Sequence, residues 1–132
     1  MITDLVRDVG GDKIEVTGLM GPGVDPHLYK ATAGDVRSLQ KCELVFYNGL
    51  YLEGRIGDVL VKLARKGKKV YAVTEKIDER RLLEPPEFAG HFDPHIWFDP
   101  TLWMEAVSVV VEGLSVSDPT NASFYNEQGI RV

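Results

Sequence analysis

The sequence predicts an α/β fold: a parallel sheet flanked by helices on both faces. Three observations carry that prediction. Short β-branched or apolar runs alternate along the chain with longer stretches of helical periodicity, the order of consecutive β-α units. One run, ELVFYN at 43–48, is apolar almost without alternation, as strands covered on both faces are. Segments bearing glycine and proline punctuate each change of period, where neither a ladder nor a helix continues easily.

The elements follow in order. Ile2, Leu5, Val6 and Val9 recur at helical spacing until Gly10-Gly11, so a helix is already under way at residue 1. KIEVTGLM reads as a strand over roughly 14–20, closed by Gly-Pro-Gly at 21–23. Thr32 can cap a helix through AGDVRSLQK, with Val36 and Leu39 turned inward. After the strand at 43–48 and an Asn48-Gly49 turn, Ile56, Val59, Leu60 and Leu63 make the stripe of a helix over Glu53–Arg65. Gly67 stands where its C-terminal cap belongs. KKVYAVTE at 68–75 is the third strand, and a polar stretch with Pro85-Pro86 follows from 76 to 94. Asp99-Pro100 supplies a cap and first turn for a helix reaching Leu114, and Asp118-Pro119 opens a last one. A start inside one helix and an end inside another lead us to expect a chain truncated at both ends.

Composition removes several function classes. Fifteen basic against twenty acidic residues leave a net charge of −5 over 132 residues, which argues against a binder that tracks nucleic-acid phosphates. The basic run KLARKGKK at 62–69 ends a predicted helix, where the dipole favours cations, and reads as a solvated face. Cys42 is the single cysteine, so neither an internal disulfide nor a thiolate zinc cage can form. It reads as a small core residue. No apolar run is long enough to span a bilayer. The first residues show no signal-peptide h-region, and LQKC lacks the lead of a lipoprotein anchor.

The chemistry gathers at a repeated tripeptide. Asp-Pro-His occurs at 25–27 and again at 93–95, whereas average usage places such a tripeptide by chance in roughly one chain in a hundred. Each copy lies in a loop that enters or leaves the sheet. Pro26 and Pro94 bias the preceding aspartate toward extended backbone and stiffen the approach to His27 and His95. A stiff ligand loses less entropy when a metal fixes it. Asp25 and Asp93 are placed to orient a ring or accept its second N–H. Two neutral imidazoles suit zinc, manganese, iron or copper alike, and two ligands fall short of the four that zinc takes. His91, alone in the polar stretch, reads as a surface residue; Trp97 and Trp103 read as packing anchors; and Glu53, near the ligand end of the sheet, reads as an acid favoured at a helix N-terminus ahead of an acceptor that supports the site.

The runs GLMGPGVDPHLYKATAGDV, ELVFYNGLYLE and FDPHIWFDP closely resemble the cluster A-I metal-binding proteins of ABC transporters, the TroA-type zinc and manganese binders. The resemblance covers nearly the whole chain. It implies one lobe of a two-lobed periplasmic-binding-type fold, with residues 1–118 as the N-terminal metal-binding lobe. Residues 119–132 then begin the helix that joins the lobes. It implies that the metal, zinc or manganese, lies between the lobes and that His27 and His95 are the first lobe's ligands. An opening strand before residue 1 and the second lobe, with a His or Glu and an Asp, fall outside this sequence, so the chain carries half a site.

The expected function is therefore that of a solute-binding component of an ABC importer, not an enzyme. The implied location is extracytoplasmic, in the periplasm or anchored at the membrane surface. The implied partners are a membrane permease and the second lobe. Two other readings compete. A metal-dependent α/β hydrolase would need a general base near the histidines, such as Asp99 or Glu53. An interaction module would pair an exposed sheet edge with another copy of the chain.

Overall fold

The computed structural model describes all 132 residues. Two strands, β1 (Leu44–Tyr47) and β2 (Lys69–Ala72), pair in parallel with Leu44 opposite Lys69 and Tyr47 opposite Ala72. They are joined by α3 (Gly57–Arg65), the crossover that a parallel pair requires. Alternation along the strands divides the interior into two layers. Val45, Tyr47 and Val70 pack on one side with Leu39 of α2 (Ala33–Lys41) and Leu60 and Leu63 of α3. Leu44 and Phe46 face the other side, where α1 (Ile2–Gly10), α4 (Pro100–Ser117) and α5 (Ala122–Arg131) enclose the larger core. Helices thus cover both faces, as the unbroken apolar character of 43–48 predicts.

The first expected strand, over 14–20, is not there. Residues 14–18 carry no ladder, although Ile14 is extended at φ −136° and ψ 154° and both Ile14 and Val16 pack on the larger core. β-propensity describes how side chains fit a pleated surface, while a strand also needs a neighbouring backbone. Here the Val16 carbonyl meets the Arg7 guanidinium instead. The other boundaries shift for local reasons. β2 stops at Ala72 because the chain turns there, Glu75 N donating to the Ala72 carbonyl at 3.0 Å, while Val73 N and Thr74 N still reach the carbonyls of Tyr47 and Asn48. The expected helix from Glu53 begins as a 3-10 turn at Gly54–Ile56 before α3 proper.

The caps read from the sequence are made. Thr32 Oγ1 accepts from Asp35 N at 3.2 Å, while the Asp35 carboxylate accepts from Thr32 N at 2.7 Å and from the Tyr29 hydroxyl at 2.8 Å. Asp99 caps α4 through Thr101 N at 2.8 Å, with Pro100 in the first turn. Lys68 Nζ donates to the Gln40 and Cys42 carbonyls at the end of α2, so part of the basic run tidies a helix terminus. Tyr125 of α5 is fully buried in the core and donates to Asp118 at 2.7 Å. No helix is long and apolar enough to cross a membrane.

Gly113 sets how closely α4 lies on the sheet. A Cβ there would sit 2.8 Å from two ring carbons of Phe46 and 3.2 Å from Tyr71, rings that stack on each other. Alanine in place of a helical glycine gains about 1 kcal/mol of helix propensity, but overpacking a tight core costs about 1–3 kcal/mol. Gly113→Ala is expected to lower the unfolding midpoint despite the better helix former, as thermal denaturation followed by circular dichroism would measure.

Candidate metal centre

The two Asp-Pro-His segments fold alike. In each, the histidine backbone N–H donates to Oδ1 of the aspartate two residues earlier, at 2.9 Å for both His27–Asp25 and His95–Asp93. Such turns through a side-chain carboxylate mimic a backbone turn, and the intervening proline presets their entry. The first is closed by Leu28 N on the Asp25 carbonyl at 3.3 Å. In the second, Ile96 N reaches the Pro94 carbonyl at 2.9 Å with His95 at φ −83° and ψ 51°, close to an inverse γ-turn. Asp93 N in turn donates to the Leu83 carbonyl at 2.7 Å, which ties the long polar stretch to the motif.

The rings of His27 and His95 lie 5.5 Å apart, centroid to centroid, tilted by 59°. The structure therefore brings together two residues separated by most of the chain. His27 is exposed and His95 is partly covered. Trp97 meets the His95 ring edge-on at 5.1 Å, and Phe88 stands 6.4 Å away, so Trp97 does its packing against the imidazole.

The two aspartates differ. Asp93 Oδ1 lies 2.6 Å from His95 Nδ1. An ionised carboxylate can only accept, so Nδ1 carries the proton, and the tautomer this selects has its lone pair on Nε2. Burial works to raise the Asp93 carboxyl, but hydrogen bonds from the backbone and ring of His95 outweigh it and hold the group below its usual range. Asp25 spends its carboxylate on the backbone of His27 and not on the ring.

Both turns rest on the loop that leaves β1. Asn48 is fully buried, and its Nδ2 donates to the Pro94 carbonyl at 3.0 Å and the Gly49 carbonyl at 3.1 Å. The Glu53 carboxylate, only 8% exposed, accepts from Asn48 N and, at 3.1 Å, from Gly49 N. Burial pushes this carboxyl above its ordinary range, against the pull of those two backbone donors. Gly54, at φ +44°, lies so close to the His27 carbonyl that a Cβ would collide with the oxygen. Glu53 is thus not the helix-start acid its position suggests. It folds back over the strand end, which no local spacing in the sequence announces.

His91 stays apart, its ring 4.6 Å from that of the exposed Tyr51 and tilted by 56° to it. No group of three or more His, Cys, Asp or Glu side chains gathers anywhere in a form able to hold a metal ion.

An imidazole pair on stiff turns stands at the carboxyl end of a parallel strand pair in an α/β lobe, the end at which open sheets of this kind take their ligands. The family described as "Zinc-uptake complex component A periplasmic" matches residues 1–131, and the chain belongs to it. Among curated relatives, the manganese-binding lipoprotein MntA of Bacillus subtilis is 42% identical over 126 residues, covering 96% of this chain and 40% of MntA. The zinc-binding protein TroA of Treponema pallidum is 49% identical over 114 residues, covering 86% of this chain and 36% of TroA. The solved structure of that periplasmic protein superposes with a TM-score of 0.92 at 43% identity, over 99% of this chain and 46% of TroA. The chain therefore spans less than half the length of these relatives. The family is one of substrate-binding transport proteins rather than enzymes.

Removing the Asp93 carboxylate is expected to free the His95 ring to its commoner Nε2–H form. Long-range nitrogen–proton NMR would show the neutral Nδ1–H form in the wild-type chain and its loss in Asp93→Ala, with His27 unchanged.

Proposed function

We propose that this chain is one lobe of a protein that captures a divalent transition metal, zinc or manganese, outside the cytoplasm for an ABC importer. The observation that carries the reading is the convergence of His27 and His95, 5.5 Å apart, from two turns that share the same aspartate-to-backbone hydrogen bond. The relatives' names add the two metals, zinc for TroA and manganese for MntA. In this reading His27 and His95 are ligands, Asp93 fixes the His95 ring, and Asp25 fixes the backbone that presents His27.

Two imidazoles are half of what zinc takes. The remaining ligands come, on this proposal, from a second lobe. Residues 1–118 form the first lobe and residues 119–132, with α5, begin the helix that leads to the second. A permease in the membrane then receives the ion. The hydrolase alternative loses its candidate bases, because Asp99 caps α4 and both oxygens of Glu53 accept backbone N–H groups.

Zinc and manganese titrations of the chain and of its His27→Ala and His95→Ala variants test the reading. The expected result is weak binding by the chain, one ion per chain, and a loss of more than about tenfold in either variant, since even outer-sphere partners are worth about 10–100-fold. Equal affinity in all three proteins would contradict it. Half an ion per chain, with a doubled mass in sedimentation, would point to two copies sharing the metal.

A further inference from the structure

The separation of the two rings needs a cause, because neither turn touches the other through a hydrogen bond. The structural connection between them runs through residues 48–54. At one end, the Asn48 amide holds the Pro94 carbonyl, one residue before His95. At the other, Gly54 lies close enough to the His27 carbonyl that a Cβ would collide with its oxygen, in a left-handed conformation that suits glycine. Between these ends the Glu53 carboxylate draws the loop shut by accepting from Asn48 N and Gly49 N. Thr74 Oγ1 anchors the same point to the end of β2 through the Asn48 carbonyl at 2.7 Å.

We infer that Glu53 is a positioning residue for the imidazole pair: by clamping the loop from Asn48 to Gly54 it sets the distance between His27 and His95. Both carboxylate oxygens are committed to the loop backbone, so Glu53 acts on the pair through Asn48 and Gly54. A buried acid is expensive to keep, and simple packing would be served by an apolar residue. The carboxylate supplies what no apolar side chain can, two acceptors aimed at successive backbone N–H groups. As a matter of metal affinity the inference rests on the function proposed above; as a matter of ring geometry it does not.

The experiment uses the full chain and three readings: the NOE between the His27 and His95 rings, zinc affinity by competition titration, and the thermal unfolding midpoint. In Glu53→Gln the amide nitrogen must face a backbone N–H, so the clamp opens while side-chain volume is kept. The expected outcome is a folded variant whose inter-ring NOE is lost and whose zinc affinity falls by about tenfold, the low end for groups that hold ligands in place. Val110→Ala, a truncation in the core on the far face of the sheet, should lower the midpoint and leave the NOE intact. A folded Glu53→Gln with wild-type NOE and affinity overturns the inference. If Glu53→Gln does not fold, Gly54→Ala decides: loss of the inter-ring NOE with the His95–Trp97 contact kept supports the clamp, and an unchanged NOE overturns it. A wild-type chain that shows the NOE but binds no zinc removes the proposed function, while the ring readings still decide the clamp.

Discussion

The arrangement depends on one constraint: the loop leaving β1 must satisfy its own backbone while buried. Buried N–H groups without partners are costly, and at Asn48 and Gly49 the partner is the Glu53 carboxylate. Once that loop is closed, the Asn48 side chain can spend its two amide hydrogens on Gly49 and Pro94. The second Asp-Pro-His turn is thereby fastened to the strand end, and the first comes to rest against Gly54. The parallel pair gives the loop a fixed origin, and the two helical layers hold the pair in place. Sheet, loop and turns form a single chain of support that ends in two imidazoles.

The repeated turn solves the same problem twice with different finishing. In both copies an aspartate oxygen captures the backbone N–H of the histidine, which fixes where the ring starts. Only in the second does that oxygen also reach the ring, which fixes how the imidazole faces and which nitrogen stays free. His95 is the sheltered, oriented member, flanked by Trp97 and Phe88. His27 is the exposed one.

Much of this was legible in the sequence, and the part that was not has a physical reason. The unbroken run Leu44–Tyr47 announced a strand buried on both faces, and Thr32 and Asp99 announced their helices, because these signals are local. The paired Asp-Pro-His marked His27 and His95 as candidates through repetition. What periodicity could not give is pairing. KIEVTGLM has the composition of a strand and an extended backbone at Ile14, yet a ladder depends on a neighbour that composition does not specify. The role of Glu53 was hidden for a similar reason, since a carboxylate that folds back five residues looks in sequence like any acid before a helix.

X-ray absorption at the zinc edge bears most directly on the central claim, that the two rings act on one ion. With a single equivalent of zinc bound to the chain, the account predicts two imidazole ligands at bonding distance, the rest of the shell being water or other light oxygen donors. A shell with one imidazole or none would show that the rings, though side by side, do not serve a common metal.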